Sequence, residues 1–133
     1  MNIYQIKVRT QLRYPDSEPE LIVSEGKGLI WNRDAEQITI EYTDDDGDKK
    51  IIYKRPDVTQ INKKSSLHMR LDNAVDNHYQ TDYGTLAMTI VARRMHVNLS
   101  MFNLVYDIYQ NDDFVERVIL RVRWRLTDDE APL

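Results

Sequence analysis

A repeat of two residues governs most of this chain. Near its end Val118, Leu120, Val122, Trp124 and Leu126 alternate with Arg117, Ile119, Arg121, Arg123 and Arg125. The apolar side chains fall on one side of an extended backbone and nearly all the charge on the other. A helix would scatter these residues around its circumference, whereas a strand sorts them into two faces. The same period runs through Tyr4, Ile6, Val8, Thr10 and Leu12, set against Gln5, Lys7, Arg9, Gln11 and Arg13. Ile38, Ile40 and Tyr42 share a face, as do Leu67, Met69 and Leu71, then Leu86, Met88 and Ile90. Met95, Val97 and Leu99 form the next, followed by Phe102, Leu104, Tyr106 and Ile108.

The gaps between these runs carry turn chemistry. "TDDDGDKK" places Asp46-Gly47 between two strand patterns, a hairpin signal because glycine takes positive φ at little cost. "RYPDSEPE" is a loop with two prolines, and "YQNDDF" interrupts the period before the last strand. The only helical candidate is one short turn over 72–77, with Asp72 as its cap. The tail "TDDEAPL" lies past the last periodic residue and is expected to fray.

These patterns predict eight to ten antiparallel strands in a near-meander, which buries its apolar faces by closing into a barrel or stacking two sheets. With 133 residues, 41% of them hydrophobic, and no repeat or linker, one domain spanning 1–133 and one core are expected. Gly26 and Gly28 lie two apart in "LIVSEGKGLIW", on one face of the second strand, where they permit a sharp bend or a close approach of backbones. Which face of that strand points inward is open at this level.

Composition excludes several function classes. With no cysteine, disulfides, thiolate metal sites and a cysteine nucleophile are ruled out. A reducing, cytoplasmic setting fits this, as does an N-terminus without a basic-then-apolar leader. No apolar stretch is long enough to span a membrane. A net charge of −4 makes nucleic acid an unexpected partner for the surface as a whole. Asn98-Leu99-Ser100 matches a glycosylation acceptor, a chance match in a chain that is not secreted.

Setting Gly47 at the sixth position of a calcium loop puts Tyr42 and Tyr53 where acidic ligands are required, so that match fails. His68, His78 and His96 show no paired ligand spacing, so no metal site is expected. No nucleophile elbow, phosphate loop or dinucleotide fingerprint occurs. The acidic pairs sit in hydrated turns, which are poor settings for general acid–base work. A non-enzymatic protein without a cofactor is the expectation.

Two features ask for a role. Arg117, Arg121, Arg123 and Arg125 should line the polar face of the last strand. In a closed barrel the first strand would lie beside it and add Lys7, Arg9 and Arg13, making a basic patch for nucleic acid or an acidic protein. An ordinary polar outer face, neutralised by neighbours such as Asp107 and Glu116, is the simpler account, because no base-stacking aromatics interrupt the stripe.

The second feature is "DNHYQTDYGTLAMTIVARRMHV", residues 76–97, where His78, Tyr79 and Tyr83 crowd Gly84. Gly84 would serve a bend with the tyrosines packed over it, or these side chains would line a cavity mouth. For the mouth, His78, Tyr79, Tyr83, Arg70 and Tyr106 are the candidate ligand-binding residues. The ligand expected there is small and partly apolar; the remaining alternative is a fully packed barrel that acts only as a scaffold.

Five segments carry a family resemblance: "EGKGLIW", "ITIEY", "LHMRL", "HYQTDYGTLAM" and "LVYDIY". The most specific element is Tyr79, Thr81, Tyr83 and Gly84, followed by Tyr106-Asp107. Across nearly its whole length the chain resembles the uncharacterised YwiB-like bacterial proteins, which are grouped with the calycins. The resemblance implies a lipocalin-like closed antiparallel β-barrel and supplies no activity and no catalytic residues. By analogy with the calycins it also implies a small apolar ligand inside the barrel, a warrant at the level of the fold alone. The long arginine-rich final strand departs from the pattern expected of that family.

Overall fold

A computed structural model describes residues 2–127 and shows ten strands, with no helix among them. They are β1 (Tyr4–Arg13), β2 (Glu20–Asp34), β3 (Gln37–Asp44), β4 (Gly47–Lys54) and β5 (Asp57–Ile61), then β6 (Ser66–Arg70), β7 (Ala74–Thr81), β8 (Gly84–Val97), β9 (Met101–Gln110) and β10 (Asp113–Leu126). Of the tail expected to fray, 128–133 lie outside the described residues.

The hydrogen-bonded order is β6-β5-β4-β3-β2-β1-β10-β9-β8-β7, so consecutive strands other than β6 and β7 form hairpins and the first strand pairs with the tenth. β1 and β10 are antiparallel in unbroken register from Tyr4 opposite Leu126 to Arg13 opposite Arg117. The turn chemistry reads through: Gly47 has φ +112°, and Asn111 and Asp112 take the left-handed conformation that Asn and Asp tolerate. The short helix expected over 72–77 does not form. Asp72 sits in a turn at positive φ, and Ala74 onward is strand. Val75, Tyr79 and Asn77 share a face there, and pairing with β8 outweighs a single helical turn.

The last seam of the barrel, between β6 and β7, is closed largely by a side chain. Backbone bridges join Arg70 to Asn73 and Leu71 to Ala92. Above them the Asn77 carboxamide stands in for a ladder rung. It accepts from the His68 N–H and donates to the His68 carbonyl, both at 2.7 Å. Asn77 is only 3% exposed, so this pairing satisfies two backbone groups that would otherwise be buried unmet.

The inward faces form one continuous core containing Ile6, Ile40, Tyr53, Met69, Ile90, Phe102, Leu104, Val122 and Trp124. The Tyr53 and Phe102 rings tilt against each other with centroids 5.1 Å apart. Burying each large side chain of this kind contributes about 1.5–3 kcal/mol. On β2 the glycine face points inward, because Gly26 is opposite Ile6 and Gly28 opposite Tyr4. A Cβ on Gly28 would lie 1.8 Å from the Glu41 carbonyl oxygen, and one on Gly26 would lie 1.9 Å from that of Thr43. The glycines therefore serve the close approach of β3 to β2.

Candidate functional site

One end of the barrel carries the β1–β2, β3–β4, β5–β6, β7–β8 and β9–β10 connections and is called here the upper end. The lower end is plugged. Trp124 is buried there, and its indole N–H donates to the Leu99 carbonyl at 3.2 Å. Tyr53, Phe102 and Met69, each next to the lower end of its strand, are buried as well. Towards the upper end the inward face turns polar: Thr10 on β1, Ser24 on β2, Tyr42 and Asp44 on β3, Lys49 on β4, and Gln60 on β5.

A pocket of about 180 Å3 opens among these residues, with Val8, Ile51 and Leu120 at its apolar depth. Thr10, Ser24, Tyr42, Gln60 and Leu67 line its wall, and Lys49 and Asn62 stand at its rim. Asp44 accepts from the Lys49 ammonium at 2.8 Å and from the Asp46 amide at 2.9 Å. Burial works to raise the Asp44 pKa, but the Lys49 and Asp46 bonds and the Ser24 hydroxyl outweigh it and hold the group below the usual carboxylate range. Tyr42 is shifted up by burial, with Asp44 adding to it, so it remains a hydroxyl donor at neutral pH. Tyr106 is buried against the Gln60 carboxamide and pushed up to about 12, by burial first, with Glu116 adding and Gln60 opposing. Glu116, half-buried, is itself raised by burial and by Glu20. The Gln60 Nε2 is sealed from solvent and turned towards the Tyr106 hydroxyl, with no well-formed hydrogen bond among the described residues.

The structure does not gather the five residues singled out from the sequence. Tyr106 is in the core, and Tyr79 is half-buried on the inner face of β7. His78 points outward and is exposed. Tyr83 is fully exposed at the tip of the β7–β8 hairpin, and Arg70 lies at the lower end, 3.7 Å from Asp57. No tyrosine packs over Gly84. Its φ is +119° and nothing lies within 4 Å of where a Cβ would be, so it closes a two-residue hairpin turn rather than a packed corner.

The inward polar residues that sequence reasoning missed, Gln60 at the pocket and Asn77 in the β6–β7 seam, had a visible but ambiguous signal. Gln60 alternates with Val58, and Asn77 with Val75 and Tyr79, which places a polar group at inward parity. In strands this short nothing in the sequence fixes which parity is inward.

On the outer wall the β1–β10 pairing juxtaposes the two basic stripes, with Lys7 opposite Arg123, Arg9 opposite Arg121 and Arg13 opposite Arg117. Asp107, 3% exposed, binds Arg117 at 2.7 Å and Arg93 at 3.0 Å and so neutralises the upper part of the stripe.

A family model described as a domain of unknown function, DUF1934, matches residues 6–122. Among solved structures the chain is similar to the ywiB protein from Bacillus subtilis, with a TM-score of 0.68 and 13% identity, over 92% of this chain and 91% of that one. At that identity the likeness speaks for the fold alone. No curated protein sequence matches the chain. Among the described residues, no helix is long and apolar enough to cross a membrane.

Proposed function

We propose that this chain, which belongs to the DUF1934 family of domains of unknown function, binds one compact ligand in the upper end of its barrel and catalyses no reaction on it. The observation that carries this reading is a pocket of about 180 Å3 in the upper barrel, apolar at its depth and walled by the Thr10, Ser24, Tyr42 and Gln60 side chains. The pocket is smaller than the roughly 300–1,000 Å3 of drug-sized sites. The ligand is therefore compact, with no room for an extended fatty acid. Its aliphatic part faces Val8, Ile51 and Leu120, and its carbonyl, carboxylate or hydroxyl oxygen meets Gln60.

Binding rather than catalysis is favoured by the state of the polar groups. Asp44 is tied to Lys49 and is a weak base, while Tyr42 and Tyr106 stay protonated. A cytoplasmic location suits the cysteine-free sequence.

Replacing Gln60→Met tests the reading. A thioether of similar size removes a polar group from the pocket wall and keeps its volume, so the ligand-free variant should melt within a few degrees of the parent. It should also lose the stabilisation that short branched carboxylates and small alcohols give the parent, about 2.7 kcal/mol at a hundredfold excess over the dissociation constant. A much lower melting temperature for the ligand-free variant would make the amide a structural bond to Tyr106. A panel that shifts neither protein would remove the ligand.

A further inference from the structure

The registers of five neighbouring strands set out three cross-strand rows on the outer wall, away from the pocket. The first runs Leu21, Gln11, Ile119, Val105, Arg94. The second runs Val23, Arg9, Arg121, Asn103, His96. The third runs Glu25, Lys7, Arg123, Met101. Directly opposed side chains in such rows have Cβ atoms about 4.5–5.5 Å apart, where like charges destabilise a sheet.

Arg9 faces Arg121 and Lys7 faces Arg123 at that spacing. The only carboxylate in the three rows is Glu25, 3.7 Å from Lys7. Among the described residues Arg121 has only the neutral Asn103 side chain, at 3.2 Å. An acidic chain of net charge −4 thus gathers on one wall cations that find few carboxylate partners among those residues, at a cost to its own stability.

The same wall is not purely polar. Leu21 and Val23 are 55% and 48% exposed. A shallow cleft of about 260 Å3 lies between arginines, lined by Arg9, Gln11, Leu21, Ile119 and Arg121.

We infer that this wall, centred on Arg9, Arg121, Leu21 and Ile119, is a docking surface for an acidic segment of another protein that also presents an aliphatic side chain. The carboxylates answer the arginines, which form paired hydrogen bonds with planar carboxylates. The aliphatic side chain enters the cleft against Leu21 and Ile119. Nucleic acid fits the same charge less well. The three rows contain no Tyr, Phe or Trp on which a base would stack, and they place leucine, valine and isoleucine where a phosphate chain gains nothing. A mixture of arginine and aliphatic surface is instead typical of protein interfaces.

Fluorescence anisotropy with three labelled probes tests the inference: a peptide alternating glutamate and leucine, an all-glutamate peptide of the same length, and a single-stranded DNA of matched charge. The alternating peptide should bind tightest, and its affinity should fall as salt rises. The double variant Arg9→Glu, Arg121→Glu should lose about tenfold or more in affinity, since each new carboxylate repels the probe. Leu21→Ser should bring the alternating peptide down to the affinity of the all-glutamate one and leave the latter unchanged. Melting curves establish that each variant is folded.

Tightest binding of the DNA would make the wall a nucleic-acid surface and overturn the inference. So would failure of the alternating peptide to bind even at low salt. Salt-sensitive self-association in sedimentation, lost in the arginine variant, would assign the wall to a second copy of the chain and also overturn it.

Discussion

Asp107 ties side chains of β8 and β10 together across β9, and Asn77 supplies a side-chain rung between β6 and β7. Asp107 accepts from Arg117 and Arg93, and these bonds outweigh the opposing effect of its burial, leaving its pKa below the ordinary carboxylate value. A carboxylate with a depressed folded pKa contributes stability that is fully present above about pH 4 and lost as pH falls through the folded value. Asp107→Asn should therefore cost about 1–3 kcal/mol at neutral pH, and the gap between variant and parent should close on acidification below about pH 4. Denaturant melts across that range measure both. Asn77→Ala should cost a similar about 2–3 kcal/mol at any pH, because it strands the His68 N–H and carbonyl in a buried seam. A melting temperature within a degree of the parent's would mean that the seam closes without the carboxamide. The pairing of Asp107 with the arginine stripe was legible in part, since the sequence offered it as a neutralising neighbour. Asn77 was not legible and appeared only as one polar residue among several in "DNAVDNHYQ". Both act across strands whose pairing a single sequence does not reveal.

At the level of the strand, legibility followed length and contrast. β10 and β1 alternate over many residues between apolar and charged, and their faces were readable before any coordinates. β2 was not readable in this way, because apolar residues occupy both its faces. Leu21 and Val23 turn out to lie outside, while Ile22 and Ile30 lie on the glycine face that points in. The glycines themselves divide into two kinds, which gives a test. Gly28→Ala would drive a Cβ into the Glu41 carbonyl, and β2 and β3 would have to separate. It should destabilise by well over about 3 kcal/mol or abolish folding. Gly84→Ala meets no atom, so it should cost only the left-handed backbone strain of about 1–2 kcal/mol. Melting the two variants side by side checks the ranking. Equal costs would show that the β2–β3 approach has slack. Cavity placement was the least legible feature. It depends on how bulky residues from ten strands share one interior, and they fill the lower and middle barrel more fully than the alternation alone discloses.

For the molecule as a whole, closure was anticipated from the economy of burying one apolar face per strand, and ten strands in meander order deliver it. The ladder that completes it joins β1 to β10, elements from opposite ends of the chain paired over ten residues. That feature bears on how the protein is made. A ribosome delivers β1 first, and that strand's outer edge stays without a partner until β10 emerges. Throughout translation the growing chain is an open sheet with bare backbone donors and acceptors along β1 and, later, along β9. Such edges are where nascent chains recruit one another. The emergence of β10 thus turns a self-adhesive ribbon into a nearly closed barrel, and a pause or premature stop before residue 113 would leave a polypeptide primed to aggregate.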